Sequence, residues 1–140
     1  MIDRFFLDTN IFVYSVTASS PDKRRIAAGL IGRGIETGKG VISYQVVQEF
    51  FHIAPRRFAI AMSLAQCEEY LSTTFRPLLA IHSSQALFSE ALQLNRRYSL
   101  SWYDSLILAA ALEAECGVLY TEDLQHGQRF DKLRVLNPFL

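Results

Sequence analysis

The sequence predicts one α/β domain over residues 1–140, a three-layer α/β/α sandwich around a central parallel sheet of four to five strands. Three observations carry the expectation. Apolar runs of strand length alternate with stretches of helical apolar spacing, the pattern of a parallel sheet covered on both faces. A chain of 140 residues fills one core of ordinary size but not two. Half of its residues are hydrophobic and a fifth are charged, which excludes a disordered segment or a charged tail.

Residues 4 to 7 ("RFFL") read as the first strand and 9 to 16 as a short helix. A longer helix covers 22 to 37, with Pro21 and Asp22 at its start and Gly38 at its end. "GVIS" is the second strand. From Ser43 a helix runs through "YQVVQEFFHIA" until Pro55 stops it, and another spans roughly 60 to 73. "FRPLLAI" is read as the third strand and "SSQALFSEALQLNRRY" as helix. Ser101 opens a further helix to about Glu115, "GVLY" is the fourth strand, and "RVLN" the fifth.

The richest apolar stretch, "SLILAAAL", is stopped by Glu113, short of the roughly 18 residues that a membrane helix needs. Asp3 and Asp8 interrupt the place where a signal peptide would lie, so a cytoplasmic protein is expected. Cys67 and Cys116 lie far apart without a metal-binding spacing, and idle thiols are expected. The 14 basic and 14 acidic residues cancel, which argues against nucleic acid until some acids are assigned to a metal. Withdrawing four would leave 14 bases facing 10 acids, most of the bases being arginines that suit phosphate.

The acids repay attention because ligands in this fold class sit outside the carboxyl ends of the strands, near a topological switch point. Asp8 ends the first strand in "LDTN", where it either caps the helix beginning at Thr9 or stands at the mouth of a site. Glu49 lies among Val46, Val47, Phe50 and Phe51, an unusually apolar setting for a charge. Asp104 follows Ser101 in "SWYD", which also reads as a capping box, and Asp123 follows the fourth strand, where Thr121 and Asp123 also suit a turn. Four acids at one edge would repel one another unless a cation lay between them. Oxygen-only ligands favour magnesium or manganese, which suit phosphodiester hydrolysis by water.

The ordered motifs "LDTN", "QEF", "YDSLILAAAL" and "YTEDL", one acid in each, resemble the PIN-domain nucleases over nearly the whole chain. Their size and spacing are most similar to the VapC-type toxin ribonucleases of bacterial toxin-antitoxin pairs. The resemblance implies a metal-dependent endoribonuclease in which Asp8, Glu49, Asp104 and Asp123 bind magnesium or manganese, with Asn10 and Thr121 in support. Glu122 leaves open which of two adjacent acids points inward, Asp123 fitting the family position better. The resemblance also implies a homodimer silenced by a small antitoxin, seated in an apolar groove between residues 22 and 57 that includes "VVQEFF". The alternative is a PIN-like domain that binds RNA or protein without cutting.

Other phosphate-handling sites fit poorly. A dehalogenase-type phosphatase needs a second aspartate where Asn10 stands, and a receiver domain needs an acid after "LLAI" and a late lysine. His52, His82 and His126 share no motif, and the Glu49/His52 spacing of "EFFH" has no second copy of the kind di-iron helices require. The pairs Arg24-Arg25, Arg56-Arg57 and Arg96-Arg97 suit phosphates, and Trp102 or Tyr103 a stacked base. Helix-end placement and core packing are the commoner uses.

Overall fold

The computed structural model describes residues 4–16, 20–57 and 62–140, apart from the side chains of 55–57. Its elements follow in the order β1 (Phe5–Leu7), α1 (Thr9–Val16), α2 (Pro21–Thr37), β2 (Gly40–Ser43), α3 (Tyr44–Arg57), α4 (Leu64–Tyr70), β3 (Leu79–Ile81), α5 (Gln85–Tyr98), α6 (Trp102–Glu113), β4 (Val118–Tyr120), β5 (Arg129–Phe130) and β6 (Leu133–Leu136).

The sheet order is β3-β2-β1-β4-β6-β5. All pairings are parallel except β5 with β6. Every residue of β1 is buried, so helices cover both faces of the sheet centre as expected. The chain runs outward from β1 through β2 to β3, then returns to place β4 on the other side of β1. That reversal puts the topological switch between β1 and β4, and the carboxyl ends of both strands face one crevice.

Short-range chemistry explains the helix ends. The Ser20 side chain accepts the Lys23 N–H at the start of α2, beside Pro21 at the first position, and Gly38 closes the helix at φ 72°. Serines likewise cap α5 and α6. Where α2 crosses β2, two glycines make the approach possible: a Cβ on Gly40 would lie 2.6 Å from the Cα of Gly34. Helix α6 is buried along Ser105 to Ala111, as a helix apolar all round must be.

Four expectations are corrected. Helix α3 continues through Pro55 to Arg57, because proline takes one donor from a last turn while its φ still suits the helix. "FRPLLAI" forms strand only at Leu79–Ile81. Phe75 instead ends a π turn, Leu71–Phe75, that continues α4, and packs against Phe12, Phe50, Phe51 and Tyr70. Pro77, without an N–H, suits the turn and not the ladder. The sheet has six strands, since the two-residue β5 pairs antiparallel on β6 and is too short to show a period. Finally, Val46 and Phe50 are fully buried in the core, with Val47 and Phe51 packed partly against it, so "VVQEFF" is not an open groove.

The expected start of α4 near residue 60 and the side chains of Arg56-Arg57 lie outside the described residues. Arg25 pairs with Asp22 at 3.1 Å in the open, and Arg96 and Arg97 occupy the last turn of α5, where they complement the helix dipole. Cys67 and Cys116 are free, and no helix among the described residues is long and apolar enough to cross a membrane.

Candidate active site

Asp8 stands one residue past β1 and is 6 % exposed, so its carboxylate needs partners. Oδ1 accepts the Thr9 N–H at 2.7 Å and Oδ2 accepts the Thr121 hydroxyl at 2.7 Å. The first bond satisfies an orphan donor at the start of α1, as a cap would. The second joins the end of β1 to the end of β4, which a cap would not do. The backbone repeats the link, since the Asp8 N–H donates to the Tyr120 carbonyl at 3.1 Å.

Glu49 projects from α3 to the same place. The Thr9 hydroxyl donates to its Oε1 at 2.9 Å and the Gln45 carboxamide to the same oxygen at 3.2 Å. Gln45 is four residues earlier and hence on the same helix face. Asp104 opens α6. Its N–H donates to the Ser101 side chain at 3.1 Å, so Ser101 does the capping while the Asp104 carboxylate lines the cleft. Asp123 follows β4 through a turn in which its N–H donates to the Thr121 hydroxyl at 3.1 Å.

Asp8, Glu49, Asp104 and Asp123 thus line one small cleft of about 80 Å³, with Thr9, Asn10, Gln45 and Tyr103 among the other walls. The acids come from four separate segments: Asp8 from the β1–α1 junction, Glu49 from α3 after β2, Asp104 from the start of α6 after α5, and Asp123 from the turn between β4 and β5. Asn10 contributes to the wall, and its amide reaches Glu122 at 3.4 Å. Glu122 itself does not line the cleft. Its carboxylate accepts the Tyr14 hydroxyl as well as Asn10 and lies 3.8 Å from the Lys23 ammonium. Of the two adjacent acids, Asp123 is therefore the one in the cleft.

The electrostatics are those of crowded like charges. The Asp8 carboxyl is raised from 3.8 to about 7, chiefly by burial and in lesser part by the charges of Asp123 and Glu49, against the lowering effect of its bonds to Thr121 and Thr9. Burial also raises Glu49, opposed by Thr9 and Gln45 and reinforced by Asp104 and Asp123. Asp123 is raised by burial first and then by Asp104 and Glu122. Among the described residues no three such side chains are already arranged to hold a metal ion. Magnesium nevertheless fits this donor set, because it keeps several waters and is commonly bound directly by only one or two carboxylates.

The PIN domain family model matches residues 5–133. The chain belongs to the PIN domain family. Its fold is shared with solved structures of low sequence identity. A toxin-antitoxin complex from Klebsiella pneumoniae superposes with a TM-score of 0.68 at 21% identity, covering 95% of this PIN domain chain and 96% of the other. VapC20 of Mycobacterium tuberculosis, a sarcin-ricin loop cleaving toxin, gives 0.63 at 18%, covering 93% and 98%. FitAcB from Neisseria gonorrhoeae gives 0.64 at 20%, covering 96% and 98%. No curated protein matches the chain by sequence.

Two residues of this PIN domain site escaped the sequence reading. Thr9 holds both Asp8 and Glu49, and Gln45 holds Glu49. The (i, i+4) spacing of Gln45 and Glu49 was the available signal for one of them. Nothing local in "LDTN" says that the threonine reaches an acid forty residues away.

Proposed function

We propose that this PIN domain is a metal-dependent endoribonuclease, acting in the cytoplasm as the toxin of a type II toxin-antitoxin pair. The observation that carries the reading is the convergence of four carboxylates from four separate segments of the chain on one cleft beside the switch between β1 and β4. Asp8, Glu49, Asp104 and Asp123 would hold magnesium or manganese. When bound, the ion supplies charge neutralisation on the phosphodiester and an activated water.

The chain's own groups do the positioning. Thr121 and the Thr9 N–H orient the Asp8 carboxylate, and Thr9 and Gln45 orient Glu49, so that lone pairs not engaged by these donors remain for the cleft. Asn10 acts indirectly, through Glu122 and so through the strand end that carries Asp123. A binding-only domain would have no use for four acids in a space this small, since their mutual repulsion is costly.

RNA as substrate is supported by VapC20, a sarcin-ricin loop cleaving toxin of the same fold, and an antitoxin partner by the Klebsiella toxin-antitoxin complex. A homodimer is part of the same reading. Purified protein incubated with total RNA and magnesium or manganese should generate new ends bearing 5′-phosphate and 3′-hydroxyl, because water attacks phosphorus without help from the ribose 2′-hydroxyl. Cyclic phosphate ends, or full activity in excess EDTA, would contradict the reading. Co-expression with the small reading frame beside its gene should give a stable complex and relieve growth arrest.

A further inference from the structure

Next to the acidic cleft lies a second hollow of about 200 Å³, at the carboxyl edge of β2 and β3, with Gln45 and Tyr103 lining both. Gln45 builds the partition: its carboxamide donates to Glu49 on one side and to the Tyr103 carbonyl at 3.2 Å. No charged side chain lines the second hollow. It therefore does not suit a phosphate.

Its walls combine aromatic faces with polar groups. Phe88 and Trp102 stand with ring centroids 6.2 Å apart, and Phe88 is 41% exposed despite its size. Ser43, the last residue of β2, is 3% exposed, and its hydroxyl has no hydrogen-bond partner among the described residues. Buried polar atoms are nearly always satisfied, so an orphan in a hollow marks a place for a ligand group. The Gln48 carboxamide adds both a donor and an acceptor to the lining. The hollow is smaller than the roughly 300–1,000 Å³ of sites for drug-sized ligands. One flat heterocycle with a hydrogen-bonding edge matches it.

We propose that this hollow receives one unpaired nucleobase of the RNA, adjacent to the phosphodiester in the acidic cleft. The base lies against Trp102 and Phe88, and its edge is reached by Ser43 Oγ and the Gln48 carboxamide. This subsite rests on the ribonuclease reading and gives that reading its sequence preference. A substrate strand crossing the Gln45 partition places its phosphate among the acids and its base among the aromatics.

Trp102 is the only tryptophan of the chain, so its fluorescence reports on this hollow alone. The test titrates the full chain with single-stranded hexaribonucleotides of mixed sequence, and with the same backbone made wholly abasic. Calcium, an oxygen-seeking cation, replaces magnesium to neutralise the cleft. Base-bearing hexamers should quench Trp102 saturably and the abasic backbone should not. Ser43→Ala should weaken the binding about three- to tenfold, as loss of one hydrogen bond does. Phe88→Ala should weaken it about tenfold, as loss of a stacking face does. Ser43→Ala removes an unpaired buried hydroxyl, so it should melt no lower than the parent protein, which separates lost binding from lost folding.

Equal quenching by the abasic backbone, or unchanged affinity in both variants, would overturn the proposal. So would Trp102 emission that varies with protein concentration in the absence of RNA, since a second copy would then cover the hollow. Quenching as expected, without metal-dependent cleavage in any assay, would uphold the base site and reject the nuclease. Cleavage without quenching would do the reverse.

Discussion

The Thr121 hydroxyl donates to Oδ2 of Asp8 at 2.7 Å, although 113 positions separate the two residues in sequence. The Thr121 hydroxyl oxygen in turn accepts the Asp123 N–H at 3.1 Å. One small side chain thus orients one acid and fixes the turn carrying another. It can do so because β1 and β4 are neighbours in register, Leu7 opposite Tyr120.

Thr121→Val keeps the shape and removes both bonds. The buried Asp8 carboxylate would lose the largest influence that lowers its pKa, and the Asp123 turn its anchor. The expected cost is about 1–3 kcal/mol in thermal or urea unfolding at neutral pH. Cleavage should fall about 10- to 100-fold, as when a group supporting a metal ligand is removed. A variant as stable and active as the parent would show that the Thr121 bond does not matter.

The acids also set a pH dependence. Asp8 has its pKa raised on folding, so its contribution is fully present below its unfolded value near 3.8 and is lost as pH rises through about 7. Glu49 and Asp123, also raised, act in the same direction. In EDTA, wild-type stability relative to Asp8→Asn should therefore decline from about pH 4 to pH 8. The test is the difference between the two melting temperatures, which cancels titration elsewhere in the chain. A flat difference would mean that the cleft does not crowd its charges.

Glu122 and Asp123 make a paired test. Glu122→Gln alters a carboxylate held by Tyr14, Asn10 and Lys23 outside the cleft, so most cleavage activity should survive. Asp123→Asn should lose at least about 100-fold, more than supporting residues usually cost. The opposite ranking would put Glu122 in the site and Asp123 outside it.

The meeting of α2 and β2 is the sharpest packing constraint. Gly40→Ala would bring a Cβ within 2.6 Å of the Gly34 backbone, which no side-chain rotation relieves. It should destabilise by about 1–3 kcal/mol, the usual cost of overpacking. Gly29→Ala, on the same helix with nothing within 4 Å, is the control and should be neutral or stabilising. Urea denaturation of the two variants checks this.

Much of this arrangement was legible because the signals were local. "RFFLDTN" and "GVISYQ" announce strand-to-helix junctions by apolar runs and polar stops, and the acids that follow those junctions point to the crevice without any knowledge of neighbours in space. Order along the chain, however, says nothing about neighbours in the sheet. That β4 lies against β1, letting Thr121 reach Asp8, is a tertiary fact. The same limit hid Thr9, whose hydroxyl looks like any helix-start threonine until α3 packs beside α1 and brings Glu49 within 2.9 Å. The strand expectation fails at Phe75 because β propensity reflects packing on a half-buried surface, and four aromatic rings offer it a better one in a π turn.

The central claim is that Asp8, Glu49, Asp104 and Asp123 form one divalent-metal site, and metal-linked melting of wild type and Asp8→Asn tests it most directly. In EDTA at neutral pH the variant should be no less stable than the wild type, since it relieves crowded charge. Saturating magnesium should stabilise the wild type by roughly 2.7 kcal/mol at one hundred times the dissociation constant, and the variant should lose most of that gain. Acidification should erase the gain, because protons compete with the ion for the carboxylates. A wild type indifferent to magnesium and manganese, beside a variant equally destabilised in every buffer, would make Asp8 a helix cap and contradict the account.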